Sequence, residues 1–93
     1  MTDPEQYNVM VDFYCSSRSM GDLDNQFAHA IHLEGIGQNQ YQVGLGVQAP
    51  NPGEAYRRAA NGVEASLAML GVTSPSILSG HVYGPEDEET VFD

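Results

Sequence analysis

Residues 22–49 read DLDNQFAHAIHLEGIGQNQYQVGLGVQA, and the fold turns on how the first half of this stretch is taken. From residue 40 to residue 49 the chain alternates. Tyr41, Val43, Leu45 and Val47 fall on one side and Gln42, Gly44, Gly46 and Gln48 on the other, the period-two pattern of a strand with one buried face. Upstream the signal is double. With period two, Phe27, His29, Ile31 and Leu33 share a face; with period 3.6, Leu23, Phe27, Ala30 and Ile31 form a stripe, with Asp22 as N-cap and Gly35 as stop. We read residues 26–34 as a strand, because residues 35–39 then become a hairpin connection between two alternating runs. The helical alternative gives the order strand, helix, strand, helix, strand, which favours parallel crossovers.

Outward from this stretch the elements are plainer. Residues 7–14 alternate, with Tyr7, Val9, Val11 and Phe13 on one face and Asn8, Met10, Asp12 and Tyr14 on the other, and predict a strand. Residues 15–25 are rich in Ser, Gly, Asp and Asn and read as a loop. After Pro50 come the signals of a helix. Asn51 suits the N-cap, Pro52 the first helical position, and Glu54 the third, from which it can return a bond to the cap. The stripe Tyr56, Ala60, Val63, Leu67 and Leu70 predicts one buried face, and Gly71 stands where a left-handed C′ residue ends a helix. Residues 76–83 supply a further strand through Ile77, Leu78, Val82 and Tyr83. The expected fold class is α+β. It is a two-layer domain, a mainly antiparallel sheet in the order strand-strand-strand-helix-strand, with one helix packed on one face made by Val9, Val11, Ile31, Val43 and Leu45.

Pairing the second and third strands with Leu33 opposite Tyr41 sets Ala30 against Gly44 and Ala28 against Gly46. The face away from the helix then becomes a flat patch of small side chains. A solvated face ordinarily carries Thr, Lys, Glu or Arg, so this one is shaped for close approach by another surface. Met10, Ala28, Ala30, His32, Gly44 and Gly46 are therefore the partner-binding candidates.

Charge narrows the partner. Thirteen acids, three arginines and no lysine give a net charge of −10, which argues against direct nucleic-acid binding and against anionic lipid. Asp3 and Glu5 lie in a leader, residues 1–6, expected to be flexible. Glu86, Asp87, Glu88, Glu89 and Asp93 lie in residues 85–93, expected to be a disordered acidic tail. The domain is thus residues 1–84. No apolar run approaches the ~18 residues of a membrane span, and the start lacks the basic and apolar segments of a secretion signal, so a cytoplasmic location is expected. One cysteine allows no intramolecular disulfide.

Candidate chemistry is sparse. His29 and His32 stand three apart, which on a helix aligns two imidazoles but on a strand sends them to opposite faces. Asp24, Glu34 and His81 are the groups that would have to converge with them, and we expect no metal. Cys15 has few cations to activate a thiol, and reads as a small buried apolar residue. Asp12 and Glu34 are the available carboxylate pair. Gly35-Ile36-Gly37 and Gly44-Leu45-Gly46 lack the downstream glycine and helix of a dinucleotide loop, so no cofactor is expected. Arg57 and Arg58 read as a solvated helix face paired with Glu54. The function expected is therefore a non-catalytic, acidic protein-binding module, a regulator or inhibitor of a partner protein, with a homodimer as one form of that partnership. The alternatives are a nucleic-acid mimic that occupies a basic groove, and a small ligand-binding domain or enzyme.

Overall fold

Four apolar residues at every second position make the strand around which the molecule is built. The structure, a computed structural model, describes residues 5–16, 20–72, 76–86 and 88–92. Strand β1, Glu5–Tyr14, buries Tyr7, Val9, Val11 and Phe13 on one face. Helix α1 is Met20–Gln26, β2 His32–Gly37, β3 Gln40–Ala49, α2 Pro52–Met69, β4 Ser76–Tyr83 and β5 Glu89–Phe92. The five strands form one sheet in the order β2-β3-β1-β4-β5, and every neighbouring pair is antiparallel. The fold is α+β, with one main helix packed on the sheet. Because β3 and β4 both run antiparallel to β1, they are parallel to each other, and α2 crosses beneath β1 to join them.

Helix α2 begins and ends as its sequence predicts. The Asn51 side chain accepts the Glu54 N–H at 2.8 Å, and Pro52 follows at the first turn. Glu54 does not reach back to the cap, because its carboxylate is taken by Arg57 and Arg58. At the far end Gly71 adopts φ 86°, and the Gly71 and Val72 N–H groups bond Ala68 and Leu67 carbonyls at 3.0 Å, a Schellman closure. The buried stripe is Ala55, Ala59, Val63 and Leu67; Val63 and Leu67 are buried as expected, and in the first turns Ala55 and Ala59 take the place of Tyr56 and Ala60. Two alanines nearest the sheet let the backbone come close, and Tyr56 moves to the flank.

That flank explains Gly80. A Cβ there would collide with the Tyr56 ring, so the aromatic lies where a side chain is missing. Phe92 from β5 stacks on the same ring, with centroids 4.6 Å apart and planes at 1°. The disordered tail expected for residues 85–93 is therefore corrected at residues 89–92. Thr90 and Phe92 pair with Val82 and Gly80 on the helix side, an alternation that the acidic composition obscured. The leader is likewise shorter than expected, since β1 starts at Glu5; residues 1–4 lie outside the described residues.

The segment 26–34 is also corrected. A strand there would bury Phe27 but leave Leu23 in a loop, whereas helix α1 and the turn after it bury both. The Phe27 N–H bonds the Leu23 carbonyl at 2.8 Å, and the Phe27 ring meets Phe13 at 5.9 Å. The chain then extends from His32, so Ile31 is 60% exposed instead of lying under α2. The hairpin register shifts by two residues. Leu33 stands opposite Val43, not Tyr41, because the turn is tighter and later than expected, with Gly37 opposite Gln40 and Asn39 at φ 58°. The bulge between Gly35 and Gly37 takes back one residue of that shift and so keeps the faces in phase. A second bulge sits in β4. Asp12 pairs with Ser79 and Phe13 with Ile77, so Leu78 is the extra residue, and its 41% exposure follows.

Candidate interaction face

Both helices lie on one side of the sheet, since Leu23 and Phe27 join the same apolar cluster as Leu67 and Val63. The other face belongs to the even residues of β1, which are Gln6, Asn8, Met10, Asp12 and Tyr14, and to the residues that the register sets beside them. One row crosses the whole sheet. His32 is opposite Gly44, Gly44 opposite Met10, Met10 opposite His81, and His81 opposite Val91. The Ile31 N–H bonds the Gly44 carbonyl at 2.9 Å, which brings Ile31 to the end of this row.

The centre of the row is filled, not flat. A Cβ on Gly44 would lie 2.8 Å from Met10 Sδ, 3.0 Å from His32 Cβ and 3.2 Å from Ile31 Cγ1. Gly44 is thus a buried floor over which three neighbours close. Of the sequence candidates, Met10, His32 and Gly44 come together, and Gly46 shares the face one row away, opposite Asn8. Ala28 and Ala30 do not. Ala28 is exposed in the turn after α1, and Ala30 packs against the core cluster, because that segment is not a strand. The smooth small-residue patch is replaced by a low platform of Ile31, Met10, the two imidazoles and Val91.

The next row is polar. Asp12 accepts from Gln42 Nε2 at 2.9 Å on one oxygen and from Ser79 Oγ at 3.1 Å on the other, so its carboxylate is pinned at the middle of the sheet from both flanking strands. Glu34 stands on the far side of Gln42, two strands from Asp12 and thus about 10 Å away. The two acids therefore do not form a shared catalytic pair. His32 Nε2 lies 3.5 Å from Glu34, and His81 Nδ1 lies 3.9 Å from Glu89. That His81 nitrogen is buried and has no hydrogen-bond partner among the described residues. Tyr83, opposite Glu89, donates to that carboxylate, which raises the phenol's pKa.

Other sequence candidates disperse. Cys15 is buried and its N–H bonds the Asn39 carbonyl at 2.8 Å. His29 is exposed in the turn that precedes β2. Among the described residues no three His, Cys, Asp or Glu side chains are grouped to hold a metal, and no helix is long and apolar enough to cross a membrane. Arg18, in the 15–25 segment, lies outside the described residues. Arg57 and Arg58 stay on the helix side with Glu54, and Arg58 Nη1 donates to the Gln48 carbonyl at 2.7 Å. Sequence reasoning missed His81, Ser79 and Val91 as parts of this face. Their alternation was visible, but their place beside Met10 and Asp12 needs the strand order. No protein-family model, curated protein or solved structure matches the chain.

Proposed function

We propose that this protein is a non-catalytic, acidic protein-binding module, a regulator or inhibitor of a partner protein, and that the sheet face opposite α2 is its binding surface. One observation carries the reading. A row of apolar and imidazole side chains crosses the uncovered face from Ile31, 60% exposed, to Val91, 53% exposed, over a centre closed by Met10. Over Gly44 the face is filled and not recessed, and low-relief apolar centres with polar rims are what protein partners use, whereas small molecules favour concave sites. The polar rim is supplied by Asp12, Gln42, Glu34 and Ser79.

The test is capture from the native host with three chains: wild type, Met10→Glu on the open face and Glu64→Lys on the outer side of α2. The reading expects one stoichiometric partner held by wild type and Glu64→Lys and lost by a folded Met10→Glu. Retention by Met10→Glu together with loss by Glu64→Lys would move the binding surface to the helix layer and end this proposal.

A further inference from the structure

The open face also constrains the chemistry of its occupant, an argument that rests on the protein-binding reading above. The apolar row spans four inter-strand steps, about 19 Å, and the ten-residue strands β1 and β3 are each about 33 Å long. The face therefore presents roughly 600 Å², close to the ~800 Å² that one partner contributes to a standard interface. Its carboxylates are Asp12, Glu34 and Glu89, and among the described residues no arginine joins them, since Arg57 and Arg58 are engaged with Glu54. Two copies placed face to face would oppose two such sets of carboxylates, and like charges brought together in an interface disfavour that pairing. Asp12 is fixed by one bond to each oxygen, and the remaining lone pair on each suits the two-pronged guanidinium.

We infer that the occupant of the open face is a basic protein surface, not a second copy of this chain, with an apolar centre seated on the Ile31-to-Val91 row and an arginine reaching Asp12. Met10 and Val91 supply the apolar contact, and Asp12 selects arginine over lysine because a point-charge ammonium cannot use both oxygens in one plane.

The experiment titrates the full ¹⁵N-labelled chain with three 18-residue amphipathic peptides built from Leu and Arg, Leu and Lys, or Ser and Arg. The Leu/Arg peptide is expected to shift the amides of Met10, Asp12, Gln42, Gly44, Ser79 and His81. It should bind several-fold tighter than Leu/Lys and about tenfold tighter than Ser/Arg. Asp12→Asn, which keeps the shape of the side chain, should weaken Leu/Arg binding about tenfold, the usual scale for losing a charge-assisted hydrogen bond. Should Asp12→Asn lower the melting temperature, Val91→Glu at its exposed site must produce the loss instead. Shifts confined to residues 84–89 or to α2, or equal affinity for Ser/Arg and Leu/Arg, would overturn the inference. Sedimentation equilibrium separates the two proposals. The chain should be monomeric, and a dimer abolished by Met10→Glu would overturn the basic-partner inference while leaving the protein-binding reading in place.

Discussion

The two faces of the sheet are made from the same strands by the same alternation, and they have come to opposite states. On the helix face, Val9, Val11, Phe13, Val43 and Val82 are at most 1% exposed, packed against the alanines, Val63 and Leu67 of α2. On the open face the corresponding β1 positions are half-buried or exposed, and the side chains reach each other instead of a second layer. Met10 closes over Gly44, Gln42 and Ser79 hold Asp12, and His81 leans toward Glu89. The difference separates two uses of one sheet. One face supplies the apolar burial that stabilises folding; the other is ordered by local contacts and still has apolar surface to give to a partner.

If this division is right, mutations should sort by face. The largest effect falls on the covered side. Leu67→Ala should cost about 2 to 5 kcal/mol, as it removes a fully buried side chain from a small core, and a denaturant titration checks it. Met69→Ala, two residues on but 79% exposed, should change stability by less than ~0.5 kcal/mol. Equal effects from the two would erase the contrast.

A second break point lies at the edge of the covered face. Gly80→Ala places a methyl into the Tyr56 ring and should cost about 1 to 3 kcal/mol, the usual range for overpacking. Phe92→Ala should cost about 1 to 2 kcal/mol, through the lost stacking and partial burial. If Phe92→Ala melts like wild type, β5 contributes nothing to the covered layer and residues 89–92 are a passive strip.

Much of the covered face was legible in the sequence. The alternation of residues 7–14 and 40–49 and the caps at Asn51 and Gly71 are local signals, each settled within a few residues. Segment 22–34 was not, because Leu23, Phe27 and Ile31 satisfy both periods, and the choice depends on whether Leu23 finds a place beside Phe13. Phe92 was misread for a related reason. Its partner Tyr56 and the gap at Gly80 are distant in sequence, so nothing local marks it as docked. The open face was half legible. Parity alone put Met10, Gly44 and Gly46 together, but the two-residue register shift took Ala28 and Ala30 away, and only the order β3-β1-β4 brings Gln42 and Ser79 to Asp12.

The smallest expected effect is one of pH, at the solvent-facing start of α2. The Arg57 hydrogen bond chiefly holds Glu54 down to about 2 from the usual 4.5, against a smaller opposing effect of desolvation and with Arg58 assisting. A carboxylate lowered in the folded state contributes stability above its unfolded pKa and loses it as pH falls through the folded value. Wild type should therefore lose its advantage over Glu54→Gln between about pH 4.5 and pH 2. Melting curves of the two chains across that window check the sign, and a gap that widens on acidification would contradict it.

The measurement that bears most directly on the division of the two faces is site-specific photo-crosslinking in the native host. A benzophenone side chain is placed at Val91 on the open face, or at Glu64 on the outer side of α2. A discrete adduct to one basic protein is expected from position 91 and none from position 64. An adduct from position 64 with none from position 91 would contradict it, and would make the helix layer the working surface of the molecule.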